Sequence, residues 1–112
     1  MRAGRARLRG GARPGRDEIV ASLPGANPGR GIVLRADLDA LPINEANDFA
    51  HASDANGIMH ACGHDGHTVM LLGAARILKQ IPQLPGSVHF VFQPGEEGGA
   101  GARKMIDDGL FE

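Results

Sequence analysis

The chain has 112 residues, 42% of them hydrophobic and 22% charged, which suits one globular domain with a modest core and excludes a multidomain machine. Its formal charge of −1 excludes a uniformly basic protein, and no apolar run reaches the ~20 residues needed to cross a bilayer. One cysteine excludes an internal disulfide and leaves Cys62 as a small buried hydrophobe, a free thiol or a ligand.

The near-neutral charge hides two unlike segments. Residues 1–16 hold six arginines and no acid, so the 13 acids face six basic residues in the remainder. Residues 1–17 are predicted to be a disordered arginine-rich arm, and 18–112 to be the folded domain. An arginine arm suits nucleic acid or an anionic membrane. This one has no lysine, no aromatic for stacking and no amphipathic period, so neither partner is expected. Arginine, glycine, alanine and proline also dominate translations of GC-rich DNA, which would account for the arm equally well. The N-terminus lacks the apolar core of a secretion signal; a cytoplasmic protein is expected.

Two short strands are predicted next, near 18–23 and 31–36, separated by the turn-forming "PGANPGRG". Asp37 and Asp39 follow the apolar run of the second strand. Residues 44–60, polar and without period, read as a long loop of the kind that usually carries function. From Thr68 the period becomes helical, with Met70, Ala74, Ile77, Leu78 and Ile81 on one stripe and Asp65 or Thr68 as the cap. "SVHFVFQP" reads as a strand buried on both faces of a parallel sheet, "GEEGGAG" as a turn, and "ARKMIDDG" as a short helix closed by Gly109 in the left-handed position with apolar Leu110 after it. Strand, helix, strand, helix defines an α/β unit: a parallel or mixed sheet with flanking helices.

In such a unit the C-terminal strand ends and the helix N-terminus share the sheet edge where open α/β sheets bind ligands. Asp37 and Asp39, then Cys62 and His64, then Glu96 and Glu97 all fall on that rim. Taken singly each has a plain reading: a strand-end charge pair, a chance Cys-x-His spacing, a solvated turn. Taken together they offer a thiolate, an imidazole and carboxylates, the donor mixture for zinc or a similar divalent metal. His60 and His67 either ligate or are ordinary loop histidines, whereas His51 and His89 read as structural. Of two adjacent glutamates on a turn, one can ligate while the other exchanges a proton with an activated water. That constellation belongs to a hydrolase.

The stretches "LRADLDALPINE", "GIMHACGHDGHTVMLLGAARIL" and "GSVHFVFQPGEEGGAGARKMIDDGL" resemble, in order and spacing, the N-terminal half of the amidohydrolase branch of the aminoacylase/carboxypeptidase-type dinuclear metallohydrolases, which includes hippurate hydrolases and indole-acetyl-amino-acid hydrolases. The resemblance covers roughly residues 18–112. It implies a zinc-exopeptidase-like catalytic domain that cleaves the amide bond of small N-acyl amino acids with two divalent ions, zinc or manganese. It further implies Cys62, His64 and Glu97 as metal ligands, Glu96 as the general base, and Asp39 as the carboxylate that orients a ligand, with Asp37 a weaker candidate for that role.

Members of that family continue past the position of Glu112, with two further histidine ligands and a lid domain. No histidine follows His89 here. The chain is therefore expected to be a fragment, half a domain with an exposed sheet edge through which it self-associates or aggregates. A non-catalytic metal-binding or interaction module is the competing expectation.

Overall fold

The computed structural model describes residues 9–10, 18–27 and 29–111. The predicted arm, residues 1–17, lies outside the described residues except for Arg9 and Gly10. Six elements follow in chain order: β1 (Arg9–Gly10), β2 (Ile19–Leu23), β3 (Gly31–Asp37), α1 (His64–Leu78), β4 (Ser87–Gln93) and α2 (Gly101–Asp107). They build a mixed sheet in the order β1-β2-β4-β3.

β4 lies in the interior of this sheet, consistent with its unbroken β-branched and aromatic run. It pairs in parallel with β3, Gly31 opposite Ser87 through Asp37 opposite Gln93. On its other side it pairs antiparallel with β2, Ile19 opposite Phe92 through Leu23 opposite Val88. β2 and β3, consecutive in sequence, are thus separated in space by β4. His89 links across the β2–β4 pair, its Nδ1 2.8 Å from Ser22 Oγ.

The side-chain period of two puts Ala36, Val88, Phe90, Phe92 and Leu23 in one buried cluster with Leu71 and Ala75 of α1. Phe90 and Leu23 are fully buried. On the opposite face, Val33, Arg35, Val91 and Gln93 line a cleft with Met105 and Ile106 of α2.

Helix α1 departs from its prediction in start and face. It begins at His64, four residues before Thr68, and enters through Gly63 at φ 85° with no side-chain cap. The stripe on the sheet is His64, Leu71 and Ala75, with Leu78 packed against the core; Met70 and Ile77 are each 66% exposed. The helix carries apolar residues on two faces, so period alone does not choose between them. The choice is made at its first turn. There His64 and His67 meet Asp39, just past β3, and Asp37, its last residue, and Thr68 donates its hydroxyl to the Asp37 carbonyl instead of capping.

Helix α2 ends as expected. Gly109 adopts φ 88°, Leu110 N–H reaches the Met105 carbonyl and Gly109 N–H the Ile106 carbonyl, the paired bonds of a Schellman motif. No helix of the described residues is long and apolar enough to cross a membrane.

Candidate metal centre

Three segments meet at the C-terminal ends of β3 and β4. The first is the strand end and turn holding Asp37 and Asp39. Asp37 is buried, and its two carboxylate oxygens are taken separately: Oδ1 lies 2.6 Å from His67 Nδ1 and Oδ2 lies 3.2 Å from Arg35 Nη1. Burial pushes the Asp37 carboxyl up, but the His67 hydrogen bond and the charges of His64, Arg35 and His67 outweigh it and hold the group below its ordinary value.

Asp39 connects the other two segments. Its Oδ2 accepts the Glu97 backbone N–H at 3.0 Å. Its carbonyl oxygen lies 3.0 Å from His64 Nδ1, and its Oδ1 lies 3.2 Å from the same nitrogen. Burial again raises the carboxyl, and the backbone N–H groups of Glu97 and Glu96 with the charge of His64 more than reverse the effect.

The second segment is Cys62 to His64. Gly63 takes a left-handed turn between them, so the chain passes from an exposed cysteine straight into a helix whose first residue is buried. Both neighbours of His64 Nδ1 are acceptors only, so that nitrogen carries the proton and Nε2 presents its lone pair in the neutral ring. Burial lowers the His64 pKa, but the Asp39 hydrogen bond and the charges of Asp37 and Asp39 raise it above its ordinary value overall.

The third segment is the turn after β4. Here a close approach dictates sequence: a Cβ on Gly101 would stand 1.6 Å from the Pro94 carbonyl oxygen, and Gly99 and Gly101 both donate to the Gly95 carbonyl. The tight loop leaves Glu96 and Glu97 exposed at its tip. Hydrogen bonding to Glu97, then burial, then the charges of Glu97, Glu96 and Asp37 push the Cys62 thiol up.

One donor atom from each of Cys62, His64 and Glu97 lies within 4.8 Å of the other two. A thiol, an imidazole oriented by a backbone carbonyl, and a carboxylate at that spacing fit one divalent ion. The repulsion that raises the thiol is what a cation there would relieve. Asp37, His64 and His67 form a second group of the same compactness, sharing His64. The structure thus brings together Cys62, His64, Glu97, Asp39 and Asp37, with Glu96 next to Glu97 on the turn. His60 is exposed, and His51 stacks on Phe49 at 4.1 Å between ring centroids.

Sequence reasoning missed the partnership of Asp37 with His67, 30 residues apart, and the support of Arg35 by Gln93, whose Oε1 accepts from Arg35 Nε at 2.8 Å. The available signal was alternation: Arg35 and Asp37 share a sheet face, and Gln93 stands opposite Asp37 in the β3–β4 register.

Residues 33–112 match the model of peptidase family M20/M25/M40. The chain is 57% identical over 82 residues to an IAA-amino acid hydrolase ILR1-like protein of Arabidopsis thaliana, covering 72% of this chain and 19% of that one. It is 47% identical over 98 residues to the hippurate hydrolase of Campylobacter jejuni, covering 88% and 25%. A crystal structure from Bacillus subtilis, described as a dinuclear metal binding peptidase of the M20 family, superposes with a TM-score of 0.86 at 42% identity, covering 94% of this chain and 30% of that one. The chain therefore spans less than a third of the length of each of these proteins.

Proposed function

The chain belongs to peptidase family M20/M25/M40, and from that premise we propose that its sheet-edge site serves the metal-dependent hydrolysis of the amide bond in N-acyl amino acids. The observation that carries the reading is the convergence of Cys62, His64 and Glu97 within 4.8 Å, with a second glutamate beside them. Relatives named for IAA-amino acids and for hippurate share one substrate chemistry, an acyl group amide-linked to an amino acid. Residues 18–112 are, in this reading, the part of a catalytic domain that holds these groups.

Cys62, His64 and Glu97 would hold one divalent ion, and the dinuclear neighbour supports two in the working enzyme. Thiolate ligation favours zinc, whereas the carboxylates accept manganese equally well. A divalent ion supplies Lewis acidity toward a carbonyl and toward water.

The remaining work belongs to the chain. Asp39 orients His64 Nδ1 through its backbone carbonyl and holds the Glu97 backbone N–H with its carboxylate, so that one residue ties both ligand segments together. Glu96 accepts a proton from the attacking water and returns it to the departing amine as the C–N bond breaks, leaving a carboxylic acid and a free amino acid. Its neighbour Glu97 cannot do both jobs at once, which is why the turn needs two.

Turnover of hippurate and of N-acetyl amino acids with added zinc or manganese tests the reading. Glu96→Gln is expected to lower kcat at least ~100-fold, the usual contribution of a positioned acid–base group, while leaving metal uptake in place. Equal turnover by the two proteins would remove Glu96 from the mechanism. Metal uptake without any Glu96-dependent turnover would identify a metal-holding module instead.

A further inference from the structure

We propose that the long loop between β3 and α1 is a braced frame for Cys62, with Glu45 and Ser53 as the positioning residues that brace it. The inference rests on the reading of Cys62, His64 and Glu97 as ligands and gives a task to a loop outside that set.

The loop has a closed neck. Leu41 N–H donates to the Met59 carbonyl at 2.9 Å, and Met59 N–H returns a bond to the Leu41 carbonyl at 3.0 Å, forming an isolated antiparallel bridge. Residues 42–58 hang from that bridge with no helix or strand of their own, the form of a surface loop whose ends meet. Both ends lead into the candidate metal centre. Just before the neck, Asp39 accepts from His64 Nδ1 through its carbonyl and from Glu97 N–H through its carboxylate. Just after it comes Cys62, which is exposed, so packing does not place it. It is suspended between two fixed points, Met59 in the neck and His64, buried at the start of α1.

Two backbone hydrogen bonds do not by themselves hold so long a loop shut, because each exchanges with water and closure costs conformational entropy. Side chains inside the loop supply the rest. Glu45 Oε1 accepts from the Asn47 backbone N–H at 3.1 Å and from the Asn47 side-chain amide, while Oε2 accepts from Ser53 N–H at 3.4 Å. Ser53 Oγ in turn donates to the Ile58 carbonyl at 2.6 Å, next to Met59, and accepts Ala55 N–H at 3.2 Å. The run Glu45–Ser53–Ile58 thus joins the outgoing limb of the loop to the returning limb a second time, above the neck.

A carboxylate suits the first position because its two oxygens accept independently. The Asn47 backbone bond foremost outweighs burial and holds the Glu45 carboxyl below its ordinary value. The brace matters to a metal because a ligand already held in place loses little freedom on binding. With the neck shut, the sulfur of Cys62 waits beside His64 and Glu97, and with the neck open it has to be gathered in.

Cobalt(II) titration of the full chain tests the brace. The thiolate-to-cobalt charge-transfer band reports Cys62, and the ligand-field bands report the ion whatever else holds it. Glu45→Ala is expected to weaken cobalt binding about 10-fold, the lower end of the range for an outer partner of a ligand. It is also expected to lower the charge-transfer band relative to the ligand-field bands at saturation. Ser53→Ala is expected to do the same, and Ser53→Thr, which keeps the hydroxyl, to bind as the parent does. The double variant Glu45→Ala, Ser53→Ala is expected to lose no more than the weaker-binding single variant, since both cut one brace. A merely structural role would move the denaturant midpoint and leave the saturated spectrum of the folded chain unchanged. Neither residue belongs to the buried core, so the variants are expected to fold.

Parent-like affinity in either alanine variant overturns the brace, as do an unchanged ratio of the two kinds of band and additive losses in the double variant. A parent chain that takes up no cobalt overturns the ligand reading first and the brace with it, so the parent's own titration tells the two failures apart.

Discussion

Asp37, Asp39 and His64 set opposite limits on the pH range in which the metal-free chain is stable. The two carboxyls have folded pKa values below the ordinary 3.8, so the stability they contribute is fully present above 3.8 and is lost as pH falls through the folded values. His64 is raised above 6.5; its contribution is present below 6.5 and is lost as pH rises through its folded pKa. Denaturant midpoints of the metal-free chain should therefore peak between about pH 4 and 6.5. Asp37→Asn should flatten the acid side of that profile, and a midpoint that keeps rising from pH 6 to 8 would contradict the His64 assignment. At this scale the candidate ligands were legible because Cys62, His64, Glu96 and Glu97 lie in two short, chemically unusual runs. The Asp37–His67 pair was not, since nothing local connects residues 30 apart.

The strands and helices were legible where local chemistry is strict. Gly109 marks the end of α2 because the Schellman geometry needs a positive φ there, and β4 reads as an interior strand because its residues suit no solvated face. Helix α1 shows the limit. Leu71, at 6% exposure, and Met70, at 66%, are adjacent apolar residues of similar size, and the period of the sequence favoured the wrong one. Truncation separates them: Leu71→Ala should cost about 2–5 kcal/mol of stability, as a buried leucine does, and Met70→Ala about 0.5 kcal/mol or less, as an exposed position does. Urea denaturation of the two variants checks the contrast, and equal losses would contradict the face assigned to α1.

Across the molecule, the sheet is closed on one face by α1 and only in part by α2 on the other. β3 stands last in the sheet order, with no strand beyond it among the described residues. Its first half is apolar and open, Ile32 at 56% and Val33 at 51% exposure. Val69, Leu72, Ile106 and Phe111 add to the exposed apolar surface. An unpaired edge strand beside such surface is a template for another chain. Sedimentation of the 112-residue chain is predicted to show concentration-dependent self-association, and Val33→Lys, a charge on the open half of β3, is predicted to reduce it. A parent chain that stays monomeric at all concentrations would reject this use of the edge.

The sequence by itself determined the kinds of element, the α/β class and the chemical identity of the rim, because hydrophobic period, turn chemistry and donor type are properties of short runs of residues. Only the tertiary structure decided that β4 separates β2 from β3, which face of α1 meets the sheet, and that Asp37 answers to His67 and Arg35. Those outcomes depend on which distant surfaces pack together, and the packing energy that selects among them is absent from any local stretch of the chain.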